Sequence, residues 1–201
     1  KKLTIANKGW NATVSGVRLH DGGNINWPIV VGDPAHDRPA GGVTNQLQFY
    51  SVAGGSPQIV SGLISGPGEV VRGNVTPNSG GATIFTEQNT FTGTAFLLGG
   101  AIGFGADTVS SGGVITSGPI GTSLFTIGNQ TAAETNMTVL AYGGPRTIEN
   151  PIFLNGARNV VFDGTNNLTF TGPINAGGIG KMWTVRGTGR GILAGQITSS
   201  G

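Results

Sequence analysis

One stretch sets the fold class of this 201-residue chain: Asn159-Val160-Val161-Phe162-Asp163-Gly164-Thr165-Asn166-Asn167-Leu168-Thr169-Phe170-Thr171-Gly172. Five apolar residues fall on even positions: Val160, Phe162, Leu168, Phe170 and, just beyond the stretch, Ile174. Successive side chains of a strand point to opposite faces, so in extended chain these residues face the same way. Small polar residues occupy most of the other face, and Gly164 and the Asn166-Asn167 pair mark corners. The stretch predicts short strands that stack into a solenoid.

The end of this stretch recurs along the chain. Thr171-Gly172-Pro173-Ile174-Asn175-Ala176-Gly177 is similar to Ala194-Gly195-Gln196-Ile197-Thr198-Ser199, with Gly172 and Gly195 at equivalent positions. An earlier copy is Ser61-Gly62-Leu63-Ile64-Ser65-Gly66. The interval from Gly172 to Gly195 falls within the roughly 20–25 residues that are typical of one solenoid coil. We therefore predict an all-β protein with a parallel β-solenoid (β-helix) fold.

The composition favours an ordered β protein and limits its partners. Glycine accounts for 38 of 201 residues, well above the usual ~7%, and it interrupts apolar runs that are rich in β-branched and aromatic residues. Only 10% of residues are charged and the net charge is +2, with Lys1-Lys2 as the one adjacent basic pair. We expect no nucleic-acid partner and, without a long apolar run, no membrane-spanning segment. The absence of cysteine excludes disulfides and thiol chemistry.

The amino-terminal part differs from the rest. It holds Trp10, Trp27, both histidines and the segment Gly32-Asp33-Pro34-Ala35-His36-Asp37-Arg38-Pro39, whose prolines are incompatible with a central strand. We predict a cap or docking segment over residues 1–46 and the solenoid repeat region over residues 47–201. The chain opens at Lys1 without methionine or a hydrophobic signal core, so we expect a processed mature protein or an excerpt of a longer one.

Residues 47–201 also carry a family resemblance. The segments concerned are Gly66-Pro67-Gly68-Glu69-Val70-Val71, Asn89-Thr90-Phe91-Thr92-Gly93-Thr94, Gly99–Asp107, Arg146–Gly156 and Arg186–Leu193. Together they resemble the autotransporter-associated β-strand repeat of passenger regions in bacterial surface proteins. The resemblance implies a secreted or surface-displayed parallel β-solenoid with an adhesive or structural role. It carries over no catalytic residue.

Three groups of residues are candidates for a site of chemistry. His20-Asp21 and Asp33, His36 and Asp37 would form a metal or acid–base site if they met in space; a solvated loop is the favoured interpretation. Coil stacking would bring Asp163 and Glu149 together only if they lay on neighbouring coils, and exposed turn carboxylates are more common. Gly187-Thr188-Gly189-Arg190-Gly191 lacks the spacing of a phosphate loop and predicts a turn. We assign no catalytic, cofactor-binding or metal-binding residue.

Five aromatic side chains are of the kind that stacks on sugars, although packing in the core or an interface is the expected role for most of them. They are Trp10, Trp27, Tyr50, Tyr142 and Trp183.

The expected function is that of a non-enzymatic, extracellular structural β-solenoid at the bacterial cell surface. Because a solenoid leaves unpaired strand groups at its ends, we expect copies of the chain to join head to tail into a fibre. An adhesive role with surface glycans as partners is compatible with this, and no cofactor is expected. Two alternatives stay open: a carbohydrate-active β-helix enzyme, which requires a groove lined by three or more acidic side chains, and a monomeric adhesin module.

Overall fold

The computed structural model describes residues 2–5, 14–20, 23–32, 44–50, 56–73, 81–128, 137–156, 159–177 and 181–199. Strand is the only regular secondary structure among these residues. The strands form a parallel β-solenoid, which confirms the predicted fold class.

The strands belong to three sides of the solenoid and one hairpin. An eight-stranded sheet contains β2 (Val14–His20), β5 (Thr44–Tyr50), β8 (Glu69–Arg72), β10 (Ala95–Leu97), β14 (Phe125–Ile127), β17 (Ile152–Leu154), β20 (Ile174–Asn175) and β23 (Ile197–Thr198). A seven-stranded sheet contains β3 (Gly23–Ile25), β6 (Gln58–Val60), β9 (Ala82–Phe85), β11 (Gly100–Phe104), β15 (Met137–Ala141), β18 (Asn159–Asp163) and β21 (Met182–Val185).

Shorter sheets make up the third side. One contains β1 (Leu3–Ile5), β4 (Ile29–Val31) and β7 (Ile64–Ser65), and the other contains β16 (Arg146–Ile148), β19 (Leu168–Phe170) and β22 (Gly191–Leu193). Backbone bonds link the chain between them: the Thr90 N–H donates to the Ile64 carbonyl (2.9 Å) and the Thr122 N–H to the Phe91 carbonyl (3.0 Å). An antiparallel hairpin of β12 (Val109–Ser111) and β13 (Val114–Ser117) projects from this side.

The register of neighbouring coils explains the sequence repeat. Ile174 pairs with Ile197 on the next coil, and Leu168 pairs with Gly191. The predicted interval from Gly172 to Gly195 is therefore one coil in this part of the solenoid. Gly195 lies directly on Gly172, and a Cβ added to Gly195 would come within 1.9 Å of the Gly172 carbonyl oxygen. Only glycine fits here, because the backbones of two coils approach each other at the corner.

The core is a set of apolar columns inside the coils. The five residues on even positions, from Val160 to Ile174, are each 5% exposed or less, as their alternation predicts. Aromatic rings continue the columns: Phe104 meets both Phe125 and Phe170 edge to face with ring centroids 6.0 Å apart. Edge-to-face pairs stabilise a core beyond the area that they bury.

Strands from the first 46 residues join the same sheets as the later ones. β2 pairs in parallel with β5 and β5 with β8, while β1 pairs with β4. Leu3 packs against the core and Trp27 is 43% exposed. The segment 33–39 and Trp10 lie outside the described residues, and the division of the chain at residue 46 stays a prediction.

Candidate functional site

The predicted His/Asp group falls largely on residues that the structure does not describe. The backbone of His20 lies in β2, where His20 pairs with Tyr50 of β5. Asp21, Asp33, His36 and Asp37 are outside the described ranges. A metal or acid–base role for this group stays untested.

Asp163 and Glu149 do not lie on neighbouring coils, so coil stacking does not bring them together. Both belong to the same coil: Glu149 follows β16 on the third side, and Asp163 ends β18 in the seven-stranded sheet. Their separation in sequence is shorter than the interval from Gly172 to Gly195 that makes one coil, which places them on different sides. Asp163 instead accepts hydrogen bonds from Arg186 on the next coil, with its Oδ2 3.0 Å from the arginine Nε.

The Arg186 guanidinium lowers the pKa of the Asp163 carboxyl below its ordinary value by hydrogen bonding to it. Partial burial of the carboxyl raises the pKa, and a hydrogen bond from the Gly164 N–H again lowers it. Since the folded-state pKa lies below the unfolded value of about 3.9, the pair stabilises the fold above that pH. The contribution is lost as the pH falls through the folded-state pKa.

We expect Asp163→Asn to remove this acid-dependent part of the stability. The Arg186 side chain is 63% exposed, so solvent screening keeps the effect near neutral pH to about 0.5–1 kcal/mol. Urea denaturation between pH 7 and pH 2.5 measures it, with a stability difference between wild type and variant that vanishes at the acidic end. Arg190→Gln, which removes another arginine of the same coil, is the control. Its free energy of unfolding should change between pH 7 and pH 2.5 by as much as that of wild type. A wild-type-like profile for Asp163→Asn would contradict the assignment.

No acidic or metal-binding cluster is present in the part of the chain that the structure describes. There, no three His, Asp or Glu side chains come close enough to hold a metal ion. Asp107 lies 3.9 Å from Arg146 and is paired with it. The groove of three or more carboxylates that would favour a carbohydrate-active enzyme is thus not found among the described residues.

Residues 187–190 of the glycine-rich segment lie in the connection between β21 and β22, and Gly191 begins β22. Gly187 and Gly189 lie on Gly164 and Asn166 of the preceding coil, and Cβ atoms added to them would come within 2.0 and 2.2 Å of carbonyl oxygens there. The glycines therefore serve the stacking of two corners, which agrees with the predicted turn.

Of the aromatic residues considered for sugar binding, Trp183 has a packing role. Its ring stacks on that of Phe162 at 5.5 Å, and it continues the column of Val160 in the seven-stranded sheet. Tyr142 is 39% exposed at the corner after β15. Tyr50 is partly buried at the end of β5, and Trp10 is outside the described residues.

Two buried asparagines hold the corners of the coils and were not identified from the sequence. The Asn89 Oδ1 accepts a hydrogen bond from the Ile64 N–H (2.7 Å), and its Nδ2 donates to the Pro119 carbonyl (2.7 Å). The Asn150 Nδ2 donates to the Gly121 and Ser123 carbonyls at 3.2 and 2.8 Å. Its Oδ1 accepts from the Thr108 hydroxyl at 3.1 Å.

Both asparagines are fully buried, and each satisfies backbone or hydroxyl groups of other coils that would otherwise lack a partner. The available signal was an asparagine two residues before a large apolar residue at a corner, in Asn89-Thr90-Phe91 and Asn150-Pro151-Ile152.

A shallow groove of about 370 Å³ runs along the outer face of the eight-stranded sheet. We call it the outer groove. Apart from Ile152, its lining residues form two columns, namely Leu124, Pro151 and Pro173 at the corner and Phe153, Asn175 and Thr198 on the sheet. The corner residues stand immediately before β14, β17 and β20, and those on the sheet are aligned by the strand register. No lining residue is charged.

The coil over residues 181–199, which we call the open coil, exposes side chains that continue buried columns. Val185 follows Val139 and Phe162, and Ile197 follows Ile152 and Ile174. Val185 and Ile197 are each 54% exposed, whereas Phe162 is 5% exposed and Ile174 is fully buried. β21, β22 and β23 are the last strands of their sheets.

No family model, curated protein or solved structure matches this chain. Within the described ranges no helix is long and apolar enough to cross a membrane. The fold and the two surfaces described above are therefore the basis for any functional assignment.

Proposed function

We propose that the chain is a non-enzymatic, extracellular structural β-solenoid whose copies join end to end into a fibre at the bacterial cell surface, with an adhesive role. The open coil carries the proposal. Each earlier coil presents apolar columns and strand edges to the coil that follows it. The open coil presents a surface of the same kind, formed by its apolar columns and the outer backbone edges of β21, β22 and β23. A further set of parallel strands would bury Val185 and Ile197 and pair those edges.

The strands at the other end of the sheets complement this surface. β1, β2 and β3 are the first strands of their sheets, in parallel orientation and on the same succession of sides as the last strands. Joining unlike ends generates an open, head-to-tail polymer. The proposed surface location rests on the resemblance of residues 47–201 to autotransporter-associated repeats.

A lysine in the open coil tests the proposal. We expect Val185→Lys to raise the protein concentration needed for association by roughly tenfold or more, because a charge cannot be buried there without a partner. Sedimentation velocity over a wide concentration range measures the distribution of species. Val114→Lys is the matched control: Val114 is 66% exposed on the hairpin, away from the coil ends. End-to-end joining would be contradicted if both changes weakened association equally, or if neither change weakened it.

A further inference from the structure

We infer that the outer groove is a binding site for a neutral, unbranched oligosaccharide that lies along the solenoid axis. The inference concerns the adhesive part of the proposed function and is independent of end-to-end joining. It gives that role a defined site on the outer face of the eight-stranded sheet, which extends from Leu124 to Thr198 in the open coil.

The groove has the chemistry that the face of a sugar ring requires. Phe153 is partly buried on the floor, flanked by the corner side chains of Leu124, Pro151 and Pro173. A hexopyranose presents C–H groups on its ring faces and hydroxyl groups around its edge. The C–H face would cover the Phe153 ring and the proline rings, while the hydroxyls stay at the rim.

Polar side chains stand at that rim. The Asn175 Oδ1 accepts a hydrogen bond from the Gly177 N–H (2.9 Å), which fixes the amide and keeps its nitrogen as a donor for a ligand oxygen. Thr198 is aligned with Asn175 on the next strand and is exposed. An amide and a hydroxyl without nearby charge suit a neutral ligand better than an anionic one, because an anion would lose hydration without gaining a cationic partner.

The ladder spacing suits a ligand that is itself a repeating chain. The lining residues recur once per coil, and parallel strands are spaced about 4.8 Å apart. Successive coils therefore present similar positions along the axis: Pro151 and Pro173 at the corner, and Phe153 and Asn175 on the sheet. The groove is shallow, so a long chain can pass along it rather than enter by one end.

The same observations disfavour a peptide and a second copy as occupants. The strands beneath the groove use their backbone groups in the ladders of β14, β17, β20 and β23. A peptide on this face would leave its own N–H and C=O groups without backbone partners over an apolar floor. A stable protein interface needs about 800 Å² from each partner, and the few side chains around a shallow groove provide much less.

Isothermal titration calorimetry with cellohexaose, maltohexaose and an oligogalacturonate tests the inference on the full chain. We expect at least one neutral hexaose to bind, and the anionic oligomer to bind roughly tenfold more weakly or not at all. Phe153→Ala should weaken binding by roughly tenfold. Phe96→Ala is the matched control, since Phe96 lies on the same outer column two strands away and outside the groove.

A second variant keeps the test valid if Phe153→Ala lowers stability. Asn175→Asp retains the acceptor for the Gly177 N–H and removes the amide donor, so binding should fall roughly fivefold while the melting temperature is unchanged. Absence of binding to both neutral hexaoses would overturn the inference, as would binding that survives both groove variants. A dimer that Phe153→Ala abolishes would assign the groove to a second copy instead. Val185→Lys changes a residue of the seven-stranded sheet outside the groove and should leave sugar binding intact, which separates sugar binding from end-to-end association.

Discussion

Replacing Asn150 with alanine should lower the free energy of unfolding by about 3 kcal/mol. The change removes a side chain that donates to the Gly121 and Ser123 carbonyls and accepts from the Thr108 hydroxyl. Asn150 is fully buried, so alanine leaves these groups without the partner that holds three segments of the chain together. Urea denaturation of the variant and of wild type at neutral pH gives the difference.

Two further variants separate the hydrogen bonds of Asn150 from loss of side-chain volume. Asn150→Asp keeps the acceptor and places a second oxygen opposite two carbonyl oxygens, so it should destabilise the protein at least as much as alanine. Asn167→Ala removes an exposed asparagine that accepts from the Arg190 N–H, and it should cost about 1 kcal/mol or less. Equal free energies of unfolding for Asn150→Ala and Asn167→Ala would show that the buried hydrogen bonds of Asn150 do not stabilise the fold more than the exposed one of Asn167.

The second large effect is expected at Gly172, where alanine should cost about 3 kcal/mol or more. A Cβ at this position would come within 2.2 Å of the Glu149 carbonyl oxygen and 2.3 Å of the Asn150 carbonyl oxygen. These are backbone atoms of the preceding coil, so relief requires the two coils to separate at the corner. Thermal and urea unfolding followed by circular dichroism measure the loss.

Gly112→Ala is the control for the effect of backbone conformation alone. Gly112 lies at the tip of the hairpin with a φ of +60°, and an added Cβ there meets no heavy atom within 4 Å. Alanine should cost about 1–2 kcal/mol through the left-handed conformation, without disturbing coil contacts. If Gly172→Ala were no more destabilising than Gly112→Ala, the conclusion that the coils approach each other too closely for a side chain at this corner would be wrong.

Alternation and the glycine echoes were sufficient to predict the architecture. The even positions from Val160 to Ile174 form buried columns, and the spacing from Gly172 to Gly195 equals one coil. Both signals are local, because a period of two follows from the strand itself and a stacking glycine follows from the approach of two corners.

Contacts between coils could not be predicted in the same way, because the coils differ in length. Along one column of the eight-stranded sheet the residues are Ala95, Phe125, Ile152, Ile174 and Ile197. Among these five residues, the interval from Ala95 to Phe125 is the longest and contains the hairpin, whereas that from Ile152 to Ile174 is the shortest. Without these lengths the partners of Asn150 stay hidden, whereas Asp163 and Arg186 are separated by the same interval as Gly172 and Gly195.

Individual strands also depart from simple alternation. Val161 is buried although it lies between Val160 and Phe162 and so faces outwards. Arg72 stands in a core column between Phe49 and Leu97, where its guanidinium donates to the Gly81 carbonyl at 2.6 Å. A charged side chain in an inward position is not expected from patterning, because its burial depends on carbonyl acceptors that only the folded chain supplies.

Electron microscopy of the wild-type chain in negative stain, over a range of concentrations, tests the central claim most directly. The account predicts uniform filaments whose axial repeat matches eight stacked strands, about 40 Å, and Val185→Lys should shorten or abolish them. Particles that stay single solenoids at the highest concentration would contradict end-to-end joining, and the outer groove would then be the surface on which function depends.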